Sequence, residues 1–176
     1  TLESNYDIMI EHMQRIRDLT EEAANGTYGT DSITAINAEI TARCTEIDRI
    51  AATTEYNGKK LMNGGGAINI QVGIDSSANS TIILAASLFA NATTNSLTGK
   101  TAAQYTALIT AGTTSEALKA IDQGLTNITT RQTSIGAYQN RLDSAADALT
   151  VQYDNLTSSL STVRDTDVAS ESSNFI

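Results

Sequence analysis

Any chemistry in this chain of 176 residues has to start from its reactive side chains, and these are few. His12 is the only histidine and Cys44 the only cysteine. Glu11-His12 lacks the partner histidine that a zinc-binding helix motif requires, so His12 reads as a helix-surface residue. A lone thiol makes neither an internal disulfide nor a thiolate metal cluster. Cys44 lies beside an apolar stripe and reads as a small buried filler. The carboxylate pairs Glu21-Glu22 and Asp165/Asp167 suggest acid–base work or calcium, but neither has the ligand spacing of a calcium loop. They read as solvated charge. Gly64-Gly65-Gly66 has no Lys-Ser/Thr ending to hold a phosphate and precedes an alternating segment, which makes it a turn. Asn-x-Thr triplets begin at Asn25, Asn79, Asn91, Asn127 and Asn155, as chance allows in a Thr-rich chain. No catalytic, metal or cofactor constellation emerges, so neither an enzyme nor a cofactor carrier is expected.

Composition points to layers of helix. Apolar residues make up 40% but aromatics only 5%, with no Trp; a thick enzyme core usually uses more large rings. The absence of Pro favours uninterrupted helices. With 20 acidic against 11 basic residues the formal charge is −9, which repels phosphate backbones and disfavours nucleic acid as a partner. No apolar run approaches the roughly 18–20 residues of a membrane span, so membrane insertion is not expected. No charged-then-apolar leader opens the chain. It starts at Thr1, with Leu2 already in a helical pattern, and is expected to be a piece of a longer protein.

The elements follow from periodicity. Tyr6, Met9, Met13 and Ile16 recur at three- and four-residue steps, predicting a helix over about 2–24 that Asn25-Gly26-Thr27-Tyr28-Gly29 stops. A second helix is predicted from about Ser32 to Thr54, carrying Ile33, Ile36, Ile40, Ile47 and Ile50. Asp31 or Ser32 is expected to cap it and Asn57-Gly58 to end it. The short connection implies an antiparallel helical hairpin. Ala67–Gly73 alternates like a strand, and Ser80–Ala85 is its expected hairpin partner across the turn at 75–79. From Ser87 to Gly112 the chain is Thr-, Asn-, Ala- and Gly-rich, with a short helix expected near 102–110.

The strongest pattern lies in the last third. Thr113-Thr114-Ser115-Glu116 has capping-box spacing. Ile121, Ile128, Ile135, Leu142, Leu149, Leu156 and Val163 then fall at every seventh position. The expected companion column is Leu118, Leu125, Gln132, Gln139, Ala146, Tyr153 and Leu160. Such a helix spans roughly 70 Å from Leu118 to Val163 and reads as the spine of a non-catalytic rod. Polar Gln132 and Gln139 either fix register on the seam or face solvent at its edge.

Several segments together resemble one family. Gln14-Arg15-Ile16-Arg17-Asp18-Leu19 and Ala24-Asn25-Gly26-Thr27 resemble the end of the first long helix of bacterial flagellins. Ala38-Glu39-Ile40-Thr41, Glu46-Ile47-Asp48-Arg49-Ile50 and Tyr56-Asn57-Gly58-Lys59-Lys60-Leu61 resemble the second helix and the turn beyond it, and Ile68–Gly73 the strand that follows. Ile135-Gly136-Ala137-Tyr138-Gln139-Asn140-Arg141-Leu142 and Asp165–Glu171 resemble the carboxy-terminal helix and its acidic close.

The resemblance implies a mainly α fold with a small β-hairpin region, an elongated antiparallel bundle like a flagellin shaft domain. Its parts would be a helical hairpin (1–62), a β-hairpin and variable segment (63–114) and the long helix (115–176). It implies an extracellular filament subunit whose partners are further copies, or alternatively the junction protein between hook and filament. The family polymerises through additional terminal helices, so these 176 residues alone are expected not to assemble. The apolar positions Leu149, Leu156, Leu160 and Val163 are expected to lack part of their cover, favouring association between copies or fraying towards Ile176. The family is also read by Toll-like receptor 5, and its pattern carries over to Arg15, Leu19, Glu39 and Arg43. There Arg15 offers a donor fork, Leu19 an apolar anchor and Glu39 a counter-charge.

Overall fold

The computed structural model describes residues 1–26, 29–73 and 77–176. Thr27 and Tyr28 of the predicted helix stop, and Asp75 and Ser76 of the predicted hairpin turn, lie outside the described residues. The chain is mainly α with two small antiparallel two-stranded sheets, and its contacts divide it into two units.

The first unit comprises residues 1–68 and 84–136. Helix α1 (Leu2–Ala24) buries the predicted stripe of Tyr6, Met9, Met13 and Ile16 completely. Helix α2 (Thr30–Thr53) buries Ile36, Ile40, Cys44, Ile47 and Ile50. The side-chain pairs Asn5–Thr54 (2.8 Å) and Arg15–Glu39 (3.1 Å) fix the two as antiparallel. Each fully buried aliphatic here contributes about 1.5–3 kcal/mol. Helix α2 begins earlier than its hydroxyl and carboxylate signals suggest. Gly29 occupies the N-cap without a side-chain bond, so Asp31 falls in the first turn, where its charge complements the helix dipole instead of capping.

Asn57-Gly58 also does a different job from the one expected. The helix has already ended at Thr54, and these two residues adopt φ 50° and 78°. They form the turn between β1 (Glu55–Tyr56) and β2 (Lys59–Lys60). Asn-Gly suits this because two positive φ angles match the twist of a tight hairpin.

Three further helices close the unit. Helix α4 (Ala102–Thr110) has the capping box, with Thr101 and Gln104 satisfying each other's backbone N–H. Helix α3 (Thr94–Thr98), which periodicity does not reveal, buries Thr94, Leu97 and Thr98. Asp48 of α2 accepts from the Thr94 backbone N–H at 2.7 Å and so seats its start. Helix α5 runs from Thr114 to Phe175. Thr113 does not cap it through its side chain as its spacing suggests: that hydroxyl donates to the Leu108 carbonyl at 2.8 Å. Within this unit α5 lies antiparallel to α1, as Arg17–Asp122 and Tyr6–Arg131 show. Ile121, Ile128 and Ile135 are buried as predicted, but their companions are Ala117, Ala120 and Gly124. Leu118, Leu125 and Gln132 are only half-buried. Gly124 is small because Thr98 and Met13 fill the space beside it: a Cβ there would lie 2.8 Å from Thr98 Cγ2 and 3.1 Å from the Met13 Sδ.

The second unit comprises residues 69–83 and 137–176. Strand β3 (Ile68–Gln71) pairs with β4 (Thr81–Leu84), giving the expected hairpin. Along the second half of α5, every residue from Thr150 onward is exposed.

Candidate functional site

The four residues singled out by pattern meet on the α1–α2 hairpin. Turning the Met and Ile stripes inward leaves His12 and Arg15 of α1 beside Glu39 and Arg43 of α2. Arg15 donates from Nε and Nη2 to the two Glu39 carboxylate oxygens at 3.1 and 3.2 Å, a bidentate fork. Arg43 donates from Nη2 to Glu39 Oε1 at 3.3 Å and from Nη1 to His12 Nδ1 at 3.1 Å. A guanidinium can only donate, so His12 accepts through Nδ1 in this contact. The Arg15 hydrogen bond, aided by Arg43 against some desolvation, holds the Glu39 carboxyl below its usual range. The same bond and charge raise the Arg15 guanidinium. Such a carboxylate is a fixed charge at neutral pH and a poor proton carrier.

Leu19 stands apart from the other three. It is only 3% exposed and forms the floor of a shallow groove of about 280 Å³ that Arg15, Glu22, Ser32, Ile36 and Glu39 also line. The cluster thus presents two exposed, paired charges, a part-buried Arg43 and an apolar floor. That arrangement can recognise a polar surface, but it holds no activated nucleophile. Cys44 is buried nearby, and desolvation pushes its thiol up to about 11. Among the described residues, no group of three or more His, Cys, Asp or Glu side chains is placed to hold a metal ion. No helix among them is long and apolar enough to cross a membrane.

Sequence reasoning passed over the residues that tie the two ends of the chain together. Arg17 donates to Asp122 Oδ1 at 2.8 Å and to Glu21 at 2.5 Å. Arg131 donates to the Tyr6 hydroxyl at 3.1 Å and to the Ala90 carbonyl at 3.2 Å. Gln132 donates to Asp7 at 2.7 Å, which makes it a polar tie at the edge of the seam. The available signal was Arg131 itself, a charge within an otherwise uncharged face of a heptad helix.

These ties join two recognisable regions. Residues 1–67 match the family model described as the bacterial flagellin N-terminal helical region, and residues 118–176 match that of the C-terminal helical region. The chain belongs to the bacterial flagellin family. Over 167 residues it is 30% identical to the flagellar filament 30.7 kDa core protein of Treponema maltophilum, covering 89% of this chain and 58% of that protein. It is 29% identical over 170 residues to flagellin FlaB2 of Treponema pallidum, covering 90% of this chain and again 58% of the relative. The chain therefore spans under two-thirds of the length of these relatives. The crystal structure of Bacillus cereus flagellin superposes with a TM-score of 0.63 at 25% identity, over 80% of this chain and 77% of that one. In flagellin terms, the Arg15–Glu39–Arg43 cluster lies wholly in the N-terminal region, whereas Arg17–Asp122 and Tyr6–Arg131 bridge the N- and C-terminal regions.

Proposed function

We propose that this flagellin-family chain is a structural subunit of the bacterial flagellar filament, outside the cell, whose partners are further copies in a helical polymer. Within it, residues 1–62, 63–114 and 115–176 act as the helical hairpin, variable segment and long helix of one shaft. The observation that carries this reading is the interlock of the two family regions, where Met9, Met13, Ile16, Ile121 and Ile128 are buried between ties at both ends. A filament that transmits torque needs rigid helices and copies related by contacts that do not close into a ring. The Treponema maltophilum relative is a flagellar filament core protein, which supports the same role. Immunogold electron microscopy of flagella with antibody to this chain tests it, with label expected along the whole filament. Label confined to a narrow band beside the hook would instead select the hook–filament junction protein.

A second role rests on the α1–α2 face. Arg15, Leu19, Glu39 and Arg43 form the site through which Toll-like receptor 5 would read the subunit, with the charges as contacts and Leu19 as groove floor. The exposure and bidentate pairing of Arg15 and Glu39 support this. Replacing both by Ala should weaken receptor binding by roughly tenfold or more, since pre-organised charge pairs contribute on the order of 1.5–3 kcal/mol. Unchanged binding by the double variant ends the assignment.

A further inference from the structure

The chain contains the Asn-Gly pairs Asn25-Gly26, Asn57-Gly58 and Asn63-Gly64. Asn-Gly is a reactive dipeptide because glycine has no side chain to keep its backbone nitrogen away from the asparagine amide carbon. The fold treats the three pairs differently. Asn57 and Gly58 form the turn between β1 and β2 at φ 50° and 78°, and Asn57 is the one non-glycine residue with positive φ among the described residues. Glu55 to Lys60 are all exposed. The Gly58 N–H donates to no group among the described residues, and a Cβ on Gly58 would meet nothing within 4 Å. We propose that Asn57 is a self-modifying site, where the chain converts its own amide to a carboxylate through a cyclic imide.

The reaction needs only water. The Gly58 nitrogen loses its proton to solvent base and attacks Asn57 Cγ. The N–Cγ bond forms, the Cγ–Nδ2 bond breaks, and Nδ2 takes up a proton and leaves as ammonia. Water then opens the imide without any change of oxidation state. Breaking the N–Cγ bond yields aspartate; breaking the bond to the Asn57 carbonyl carbon yields isoaspartate, whose main chain runs through Cβ and Cγ. Ring closure requires the turn to bring Cγ onto the Gly58 nitrogen, and little opposes that. Strands β1 and β2 have two residues each, clasped at the surface by Lys60–Glu55 at 3.1 Å, and so short a ladder with an exposed ion pair opens readily. Lys59 sets a cation next in the chain to the nitrogen, which favours loss of its proton. Asn63-Gly64 is also exposed but pinned. The Gly64 N–H donates to the Phe89 carbonyl at 2.8 Å, and on the other side fully buried Met62 accepts from the Ala92 N–H at 3.0 Å. The Gly26 N–H is held more weakly, by the Ala23 carbonyl at 3.5 Å. Isoaspartate adds one main-chain atom and a negative charge to a two-residue turn, so the Tyr56–Lys59 pairing is lost.

Peptide mapping by mass spectrometry tests this on the 176-residue chain, aged in mildly alkaline buffer either folded or in urea. In the folded chain Asn57 should react at least roughly tenfold faster than Asn63, which must first give up a hydrogen bond, with Asn25 between them. Isoaspartate should accompany aspartate at position 57. In urea the three rates should converge. Asn57→Gln, which cannot close a five-membered ring, should remove the first acidic species that ion exchange resolves. A folded-state rate at Asn25 or Asn63 equal to that of Asn57, a tenfold gap that persists in urea, aspartate without isoaspartate, or an acidic species that survives Asn57→Gln would each overturn the proposal.

Discussion

Tyr105 shows how single residues set the chain's response to pH. Its hydroxyl lies 2.6 Å from that of Thr20, both buried, and Thr20 donates in turn to the Ile16 carbonyl at 2.7 Å. Desolvation pushes the Tyr105 phenol from 10.0 up to about 12, and the nearby Cys44 thiol rises from 9.0 to about 11 for the same reason. Both folded values exceed the unfolded ones. The folded chain therefore holds protons that the unfolded chain has released, and stability falls as pH rises. The full contribution is present below about pH 9 and is lost progressively towards pH 12. Urea unfolding at pH 8, 10 and 11 should show this decline, and Tyr105→Phe should flatten it above pH 10 while costing about 1 kcal/mol at neutral pH. Gly124 gives a second residue-scale prediction. A Cβ there would meet Thr98 Cγ2 at 2.8 Å, and Thr98 is held by its bond to the Thr94 carbonyl at 2.7 Å. Gly124→Val should lower the unfolding free energy by about 1–3 kcal/mol; an unchanged midpoint would show that the contact is soft. The candidate cluster was legible only through the family resemblance, whose pattern carries over to Arg15, Leu19, Glu39 and Arg43 as residue types. That Leu19 is a floor and that His12 joins through Arg43 depend on how α1 and α2 pack, which no local pattern encodes.

At the scale of elements, one heptad column meets two environments. Ile128 is 0% exposed beneath α1, and Leu156, four heptads further along the same column, is 57% exposed. Their sequence signals are equivalent, so their energies separate only through tertiary packing. Ile128→Ala should cost about 2–5 kcal/mol, since it empties a site whose neighbours cannot collapse. Leu156→Ala should stay within about 0.5 kcal/mol of the parent. Similar costs at both positions in chemical denaturation would mean that the far half of α5 is covered. The helices themselves were legible to within a few residues, because stripes such as Tyr6-Met9-Met13-Ile16 repeat over several turns. The misreadings fall where two local motifs compete. Asn57-Gly58 serves equally well as a helix stop and as a hairpin turn, and the position of Thr54 decided between them. Thr113 and Thr101 both carry capping-box spacing, but the Thr113 hydroxyl is turned to the Leu108 carbonyl whereas that of Thr101 accepts from the Gln104 N–H. Helix α3, at Thr94–Thr98, is too short for periodicity and depends on Asp48 from a different element.

Across the whole molecule, stability should be distributed as unevenly as burial. The first unit, residues 1–68 and 84–136, holds nearly all the fully buried side chains, among them Tyr6, Met13, Ile47 and Tyr105. Beyond Gly136, α5 retains its backbone hydrogen bonds but has no buried face among the described residues. Helix propensity adds little there. Residues 150–176 contain Thr, Ser, Val and Asp in number, none of them strong helix formers, and an unsupported helix frays through local openings that cost little. Native-state hydrogen exchange in dilute solution should therefore divide α5 in two. Amides from Ile121 to Ile135 should exchange only when the unit unfolds globally, and their protection should fall with added urea in step with the unfolding curve. Amides beyond Leu149 should exchange orders of magnitude faster and be insensitive to urea, the mark of small openings that expose little surface. Uniform protection along α5 would refute this division.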